Sequence, residues 1–220
     1  MDKKKYSAVL FDLDGTLLDT LEDISIAMNH ILEERGFPTH QVDDYRYFVG
    51  DGLDKLVNKT LPPEKRNDKI NLDCQEAFKN YYAVNWRMKT KPYEGISEML
   101  DAITAKGVKT AILSNKPHEF TILFVDELLS RWKFDIVFGQ REAIPRKPDP
   151  SGAIEIAEKL GILPSDCLFV GDTSIDIKTA IAAGMFPVGV LWGFRQREEL
   201  ESNGAMYIMN HPMEILNLLE

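Results

Sequence analysis

The chain has 220 residues, with 35 acidic against 26 basic and a formal net charge of −9. At 44% hydrophobic and 28% charged it can bury a core, which excludes a disordered polymer. The acidic balance disfavours nonspecific binding of nucleic acid, while leaving room for a local basic pocket that holds a small anion.

Short apolar runs rich in β-formers predict strands at Ala8 to Phe11, Thr110 to Leu113, Phe134 to Phe138, Cys167 to Val170 and Pro187 to Leu191, with a short last one at Tyr207 and Ile208. Most are continuous rather than alternating, as expected of strands buried on both faces. Helical periodicity fills Ile96 to Ala105, Glu119 to Leu129, Ser151 to Leu160 and Ile175 to Ala183. Strands alternating with helices predict an α/β core, a Rossmann-like parallel sheet covered on both sides. From Leu17 to about Thr90 the alternation stops and no strand is predicted. Helices are expected there at Leu21 to Glu34, Leu53 to Leu61 (stopped by Pro62 and Pro63) and Lys69 to Met88. The turn-rich segment Lys91 to Gly95 closes the stretch and reads as a hinge. The expected division is therefore a core of residues 1–17 and 91–220 with a helical insert at 18–90.

Cys74 and Cys167 form neither a disulfide framework nor a CxxC metal site. His30, His40, His118 and His211 lack zinc-ligand spacing. The basic run Lys3 to Lys5 precedes apolar residues, but Asp12 and Asp14 interrupt them too early for a secretory signal. No segment approaches the roughly 20 apolar residues of a membrane span. The expectation is a cytoplasmic protein with no membrane and no nucleic-acid partner.

Four short stretches could carry chemistry. Strand one runs into Asp12-Leu13-Asp14-Gly15-Thr16; carboxylates at i and i+2 on an extended chain project the same way and need a cation or proton to coexist. Asp-x-Asp-Gly by itself is an ordinary turn; the preceding strand and the following Thr make it more specific. Ser114-Asn115 follows the second core strand and could hold a phosphoryl oxygen, or simply begin a turn. Lys147 sits on a proline-stiffened loop, where an ammonium could offset phosphoryl charge or merely be solvated. Gly171-Asp172 follows another strand, and its carboxylate suits a hard cation. Thr173 and Asp176 also fit a capping box opening the next helix. Ligands of parallel open sheets bind at the carboxyl ends of the strands, and these stretches supply three carboxylates, a hydroxyl and a lysine to one rim.

With these four stretches in this order, the sequence resembles the haloacid dehalogenase superfamily of phosphohydrolases. Asp12 to Thr16 looks like its first motif, Ser114 the second, Lys147 the third, and Gly171-Asp172 with Asp176 the fourth. The insert resembles the helical cap type, and Phe48-Val49-Gly50-Asp51-Gly52 and Val190-Leu191-Trp192-Gly193 are similar to the phosphoglycolate phosphatase-like group. The resemblance implies a Mg²⁺-dependent phosphatase acting on a small phosphorylated metabolite. Asp12 would be the nucleophile that forms an aspartyl-phosphate, and Asp14 the general acid and then base. Mg²⁺ would be held by Asp12, the Asp14 carbonyl and Asp172, with Asp176 orienting from behind. Lys147 would stabilise the transferring phosphoryl group, and Thr16, Ser114 and Asn115 would bind it. Tyr45, Arg46 and Lys55 are nearby insert residues that could read the rest of the substrate, although each alone reads as an ordinary surface residue of a helix.

Asp14 argues against the dehalogenases and phosphonate hydrolases of the superfamily, which lack that second Asp. A β-phosphoglucomutase-like isomerase shares the core and a similar cap, and Thr16 leans away from it. A noncatalytic binding module on the same fold is the remaining alternative; the complete set of motifs speaks against it. A monomer or homodimer is expected.

Overall fold

The structure is a computed structural model that describes residues 6–219. In chain order the strands are β1 (Ala8–Phe11), β2 (Leu18–Asp19), β3 (Lys91–Pro92), β4 (Lys109–Pro117), β5 (Ile136–Gln140), β6 (Cys167–Gly171), β7 (Phe186–Val190) and β8 (Tyr207–Met209). The helices are α1 (Leu21–Glu34), α2 (Tyr45–Phe48), α3 (Leu53–Thr60), α4 (Asp68–Asn85), α5 (Ile96–Ala105), α6 (His118–Leu128), α7 (Ser151–Leu160), α8 (Ser174–Ala183), α9 (Arg197–Ser202) and α10 (Leu216–Leu219).

Six strands form one sheet in the order β5-β4-β1-β6-β7-β8, and every pair is parallel. β1 is central, with Leu10 opposite Ala111 on one side and Phe169 on the other. Successive residues of a strand face opposite sides of the sheet. Accordingly Ala8 and Leu10 pack with Ala153, Ile156 and Ala157 of α7 and Ala180 of α8. Val9 and Phe11 pack on the other face with Ile96, Met99 and Ile103 of α5 and Phe124 of α6. Both faces are covered, which is why β1 and β6 read as continuous apolar runs.

Only helices and 3₁₀ turns lie between β2 and β3. α4 starts where the Asn67 side chain accepts from the Ile70 amide at 3.0 Å, and α3 ends at Thr60, two residues before Pro62. This insert shares its apolar interior with one side of the sheet: Trp86 stacks on Phe124 at 4.2 Å between ring centres, and Tyr82 meets Phe120 edge-on at 5.5 Å.

Three features differ from expectation. The segment 17–90 does contain a strand: β2 pairs antiparallel with β3, Leu18 opposite Pro92 and Asp19 opposite Lys91. Two residues per strand are too few to show any period. β4 runs through Ser114 and Asn115 to Pro117, and its register with β5 breaks between Leu113 and Pro117. α9 was not anticipated because among Arg197–Ser202 only Leu200 is buried.

Candidate active site

The order of strands reverses at β1: the chain goes to β4 and β5 on one side, then returns to β6, β7 and β8 on the other. The crevice beyond the carboxyl ends of β1, β4 and β6 lies at that switch point. Asp12 immediately follows β1, Asp172 immediately follows β6, and Ser114 to Lys116 occupy the irregular end of β4. The topology therefore gathers residues separated by more than a hundred positions.

At the centre, carboxylate oxygens of Asp12, Asp172 and Asp176 lie within 4.8 Å of one another, all three buried. The Lys147 Nζ stands among them, 3.0 Å from Asp12 Oδ1 and 2.7 Å from Asp176 Oδ1. Asp176 also accepts from the Thr173 hydroxyl at 2.7 Å and the Thr173 amide at 3.1 Å, inside the capping box that opens α8. One residue thus starts a helix and aims Lys147. Asp172 accepts from the Thr16 hydroxyl at 2.9 Å and the Phe194 amide at 2.9 Å. Gly15, with φ at 85°, and Gly193 leave the space for this carboxylate; a methyl group on either would collide with it.

Burial raises the Asp12 pKa well above the carboxylate range, with Asp176 and Asp172 adding to it and Lys147 opposing. Burial, reinforced by Asp176, pushes Asp172 up to about 7. Burial works against the Lys147 charge, but Asp12 and Asp176 outweigh it and hold its pKa above the ordinary lysine value. Fully ionised, three carboxylates against one ammonium leave two negative charges out of water. An all-oxygen donor set with that excess fits a hard divalent cation.

Asp12 and Asp14 line one cavity, but each carboxylate is paired with a different lysine, Asp12 with Lys147 and Asp14 with Lys116. The Lys116 Nζ lies 3.2 Å from both Asp14 carboxylate oxygens. Lys116 is buried, accompanied by the Tyr82 hydroxyl at 3.3 Å, and its ammonium faces the rings of Tyr82 and Phe124 at 4.9 and 4.3 Å. Burial lowers its pKa, and Asp14 offsets part of that. Sequence reasoning missed Lys116. Its one signal was adjacency to Ser114-Asn115; what buries it is aromatic packing from α4 and α6.

Ser114 and Asn115 line the same cavity. The Asn115 side chain donates to the carbonyls of Lys147 and Gly50, each at 3.0 Å, and accepts from the Lys147 amide at 2.9 Å. It thereby fixes the lysine loop and ties it to the insert. The Thr16 hydroxyl is turned to Asp172 and is 1% exposed. Of the three insert residues singled out, none lines the cavity. Tyr45 is fully buried with its hydroxyl donating to Asn29 at 2.7 Å, Lys55 is exposed, and Arg46 donates to the Gly193 carbonyl at 2.9 Å. Arg146 likewise bridges to the insert through the Asp51 carbonyl and the Asp54 carboxylate.

Residues 9–190 match the family described as haloacid dehalogenase-like hydrolase. The chain is 33% identical over 212 residues to a phosphoglycolate phosphatase of Aquifex aeolicus, covering 96% of each. It is 34% identical over 191 residues to one of Xylella fastidiosa, covering 87% of this chain and 82% of that one. A crystal structure from Lactobacillus delbrueckii subsp. bulgaricus, of a protein assigned as a phosphoglycolate phosphatase, superposes with a TM-score of 0.91 at 32% identity and 98% coverage of both chains. No helix among the described residues is long and apolar enough to cross a membrane. The chain belongs to the haloacid dehalogenase-like hydrolases and is an enzyme of their phosphoglycolate phosphatase-like kind.

Proposed function

We propose that the protein is a Mg²⁺-dependent phosphatase that cleaves a small phosphate monoester through an aspartyl-phosphate. The observation that carries this reading is the buried cluster of Asp12, Asp172 and Asp176 around Lys147, beside a cavity that Asp12 shares with Asp14 and Ser114. The Asp12 and Asp172 carboxylates and the Asp14 main-chain carbonyl would hold Mg²⁺. Bound there, the ion supplies positive charge opposite the phosphoryl oxygens.

In the first step an Asp12 oxygen bonds to phosphorus as the bond to the alcohol oxygen breaks, and Asp14 gives that oxygen its proton. In the second, a water oxygen bonds to phosphorus, the Asp12–phosphorus bond breaks, and Asp14 takes the water proton. The products are the alcohol and inorganic phosphate. Lys147 neutralises the transferring group and keeps Asp12 aligned with it. Ser114 and the Asn115 backbone border the phosphoryl position, while the Thr16 hydroxyl steadies Asp172. The helical insert acts as a cap over the cavity, excluding bulk water during transfer. Relatives named as phosphoglycolate phosphatases make 2-phosphoglycolate the first physiological substrate to assay.

The test is hydrolysis of p-nitrophenyl phosphate with and without Mg²⁺, by the wild type and by Asp12→Asn. Turnover that needs both the metal and Asp12 supports the reading, with Asp12→Asn expected at least about 10⁴-fold slower. Equal rates in the two proteins would end it.

A further inference from the structure

The peptide unit that joins Gly193 to Phe194 bonds in two directions at once. Its carbonyl accepts from Arg46 Nη1 of α2, in the insert, at 2.9 Å. Its amide donates to Asp172 Oδ2, just past β6, at 2.9 Å. A trans peptide is planar and holds its C=O and N–H on opposite sides. The plane therefore cannot turn towards one partner without disturbing the other. We infer that Arg46 is a positioning residue for Asp172: by holding the Gly193 carbonyl, the insert sets the amide that orients this carboxylate, and so strengthens Mg²⁺ binding. This rests on the Mg²⁺-dependent reading above, in which Asp172 is a ligand.

The chain on either side of this peptide is pinned. Trp192 Nε1 donates to the Thr16 carbonyl at 2.9 Å, and the Thr16 hydroxyl holds the other oxygen of Asp172. Gly193 lies so close to Asp172 and to the Gly15 carbonyl that a methyl group would strike both. On the far side Arg195 Nε pairs with Glu199 at 3.2 Å, and Arg195 Nη2 reaches the Val49 carbonyl of the insert at 3.4 Å. Rotation of the peptide plane is the freedom left, and the Arg46 bond opposes it. A guanidinium on the carbonyl also polarises the unit, which strengthens its N–H as a donor. Groups that orient a metal ligand from behind typically change affinity about 10- to 100-fold; Arg46 acts one peptide further out, so a smaller effect is expected. Charge alone predicts the reverse sign. A guanidinium near the site repels a divalent cation, so by that route its removal would tighten Mg²⁺ binding, whereas loss of positioning weakens it.

The experiment measures Mg²⁺ binding by isothermal titration calorimetry, with no substrate present, in the wild type, Arg46→Met and Asp43→Ala. The Arg46 side chain is 38% exposed, so Met keeps the aliphatic stem and removes only the donors. Arg46→Met is expected to raise the Mg²⁺ Kd about fivefold or more. Asp43→Ala removes the exposed acidic partner of Arg46 and leaves the bond to Gly193; its Kd should stay within about twofold of the wild type. Hydrogen exchange at the Phe194 amide, followed by NMR without metal, supplies a second readout and should be about fivefold or more faster in Arg46→Met. Mg²⁺ binding that is unchanged or tighter in Arg46→Met, equal weakening in Asp43→Ala, or unchanged exchange at Phe194 overturns the inference. If the wild type still binds Mg²⁺ and needs it and Asp12 for turnover, the phosphatase reading stands in each of those cases. A wild type that binds no Mg²⁺ and hydrolyses p-nitrophenyl phosphate equally well without it overturns both.

Discussion

The rim of the parallel sheet and the wall of the helical insert face each other across one cavity, and they are built on opposite principles. On the rim, position comes from backbone: Asp12 and Asp172 stand where they do because β1 and β6 end there, side by side in register. Each charged group is then held by a partner, charged for Lys147, which sits on Asp12 and Asp176, and neutral for Asp172, which accepts from Thr16 and Phe194. On the wall, position comes mainly from packing, with Phe78, Tyr82 and Phe120 set by one another's rings and Tyr82 alone also held by a polar contact, from Lys116. A rim built this way holds its charged groups tightly, whereas Phe78 and Phe120 of the wall make ring contacts only and can be exchanged without removing an ion pair. Lys116 is where the two meet, its ammonium on Asp14 and its flank under insert aromatics.

Substitutions can break this contrast or sharpen it. The largest effect is expected from Lys147→Met, which leaves Asp12 and Asp176 without their shared cation. Steady-state assays should show kcat lower by about 10²- to 10³-fold. Chemical denaturation in EDTA should show a loss of about 3 kcal/mol, partly recovered when Mg²⁺ is added. A stable protein whose KM alone has changed would mean that the lysine binds substrate rather than serving the transfer.

Lys116→Met comes next, since it keeps the packing against Tyr82 and Phe124 but removes the partner of Asp14. The expected result is kcat lower by roughly 10- to 100-fold with KM within about threefold. A rise in KM without a fall in kcat would move Lys116 from the rim's machinery to the wall's. Asn115→Ala removes the bonds to Lys147 and to Gly50 of the insert, and thermal or urea unfolding should record a loss of about 1–3 kcal/mol. Smallest of all is Lys55→Ala. The side chain is exposed and lies off the cavity, so stability should stay within about 0.5 kcal/mol and kcat/KM within about twofold.

The same contrast explains what could be read from the amino acids. The rim was legible because a strand buried on both faces leaves an unbroken apolar run, and the residue after it marks the strand's end. Asp12 follows Ala8–Phe11 and Asp172 follows Cys167–Gly171 with no ambiguity of register. The Thr173–Asp176 capping box was legible for a similar reason, being local. The wall was not, because its membership depends on how three helices of the insert settle against α6. Tyr45 illustrates the failure: beside a glycine-rich loop it reads as a surface residue of a helix that could also touch substrate, yet its ring is buried and its hydroxyl is held by Asn29. Lys116 illustrates the converse. A lysine is ordinarily solvated, and only the meeting of Asp14, Tyr82 and Phe124 makes this one a buried group.

The two passages of chain between sheet and insert travel side by side as β2 and β3. Just beyond that ribbon, the Asp23 carboxylate accepts from the amides of Lys89 and Thr90 and from the Thr90 hydroxyl, at 2.7–3.1 Å. Two independent tethers would let the helices twist and slide as well as tilt. A cross-tied strap resists shear and leaves bending across its width as the soft direction, so a swing of the helices in the proposed cap role would follow a single arc and bring the same side chains back over the cavity.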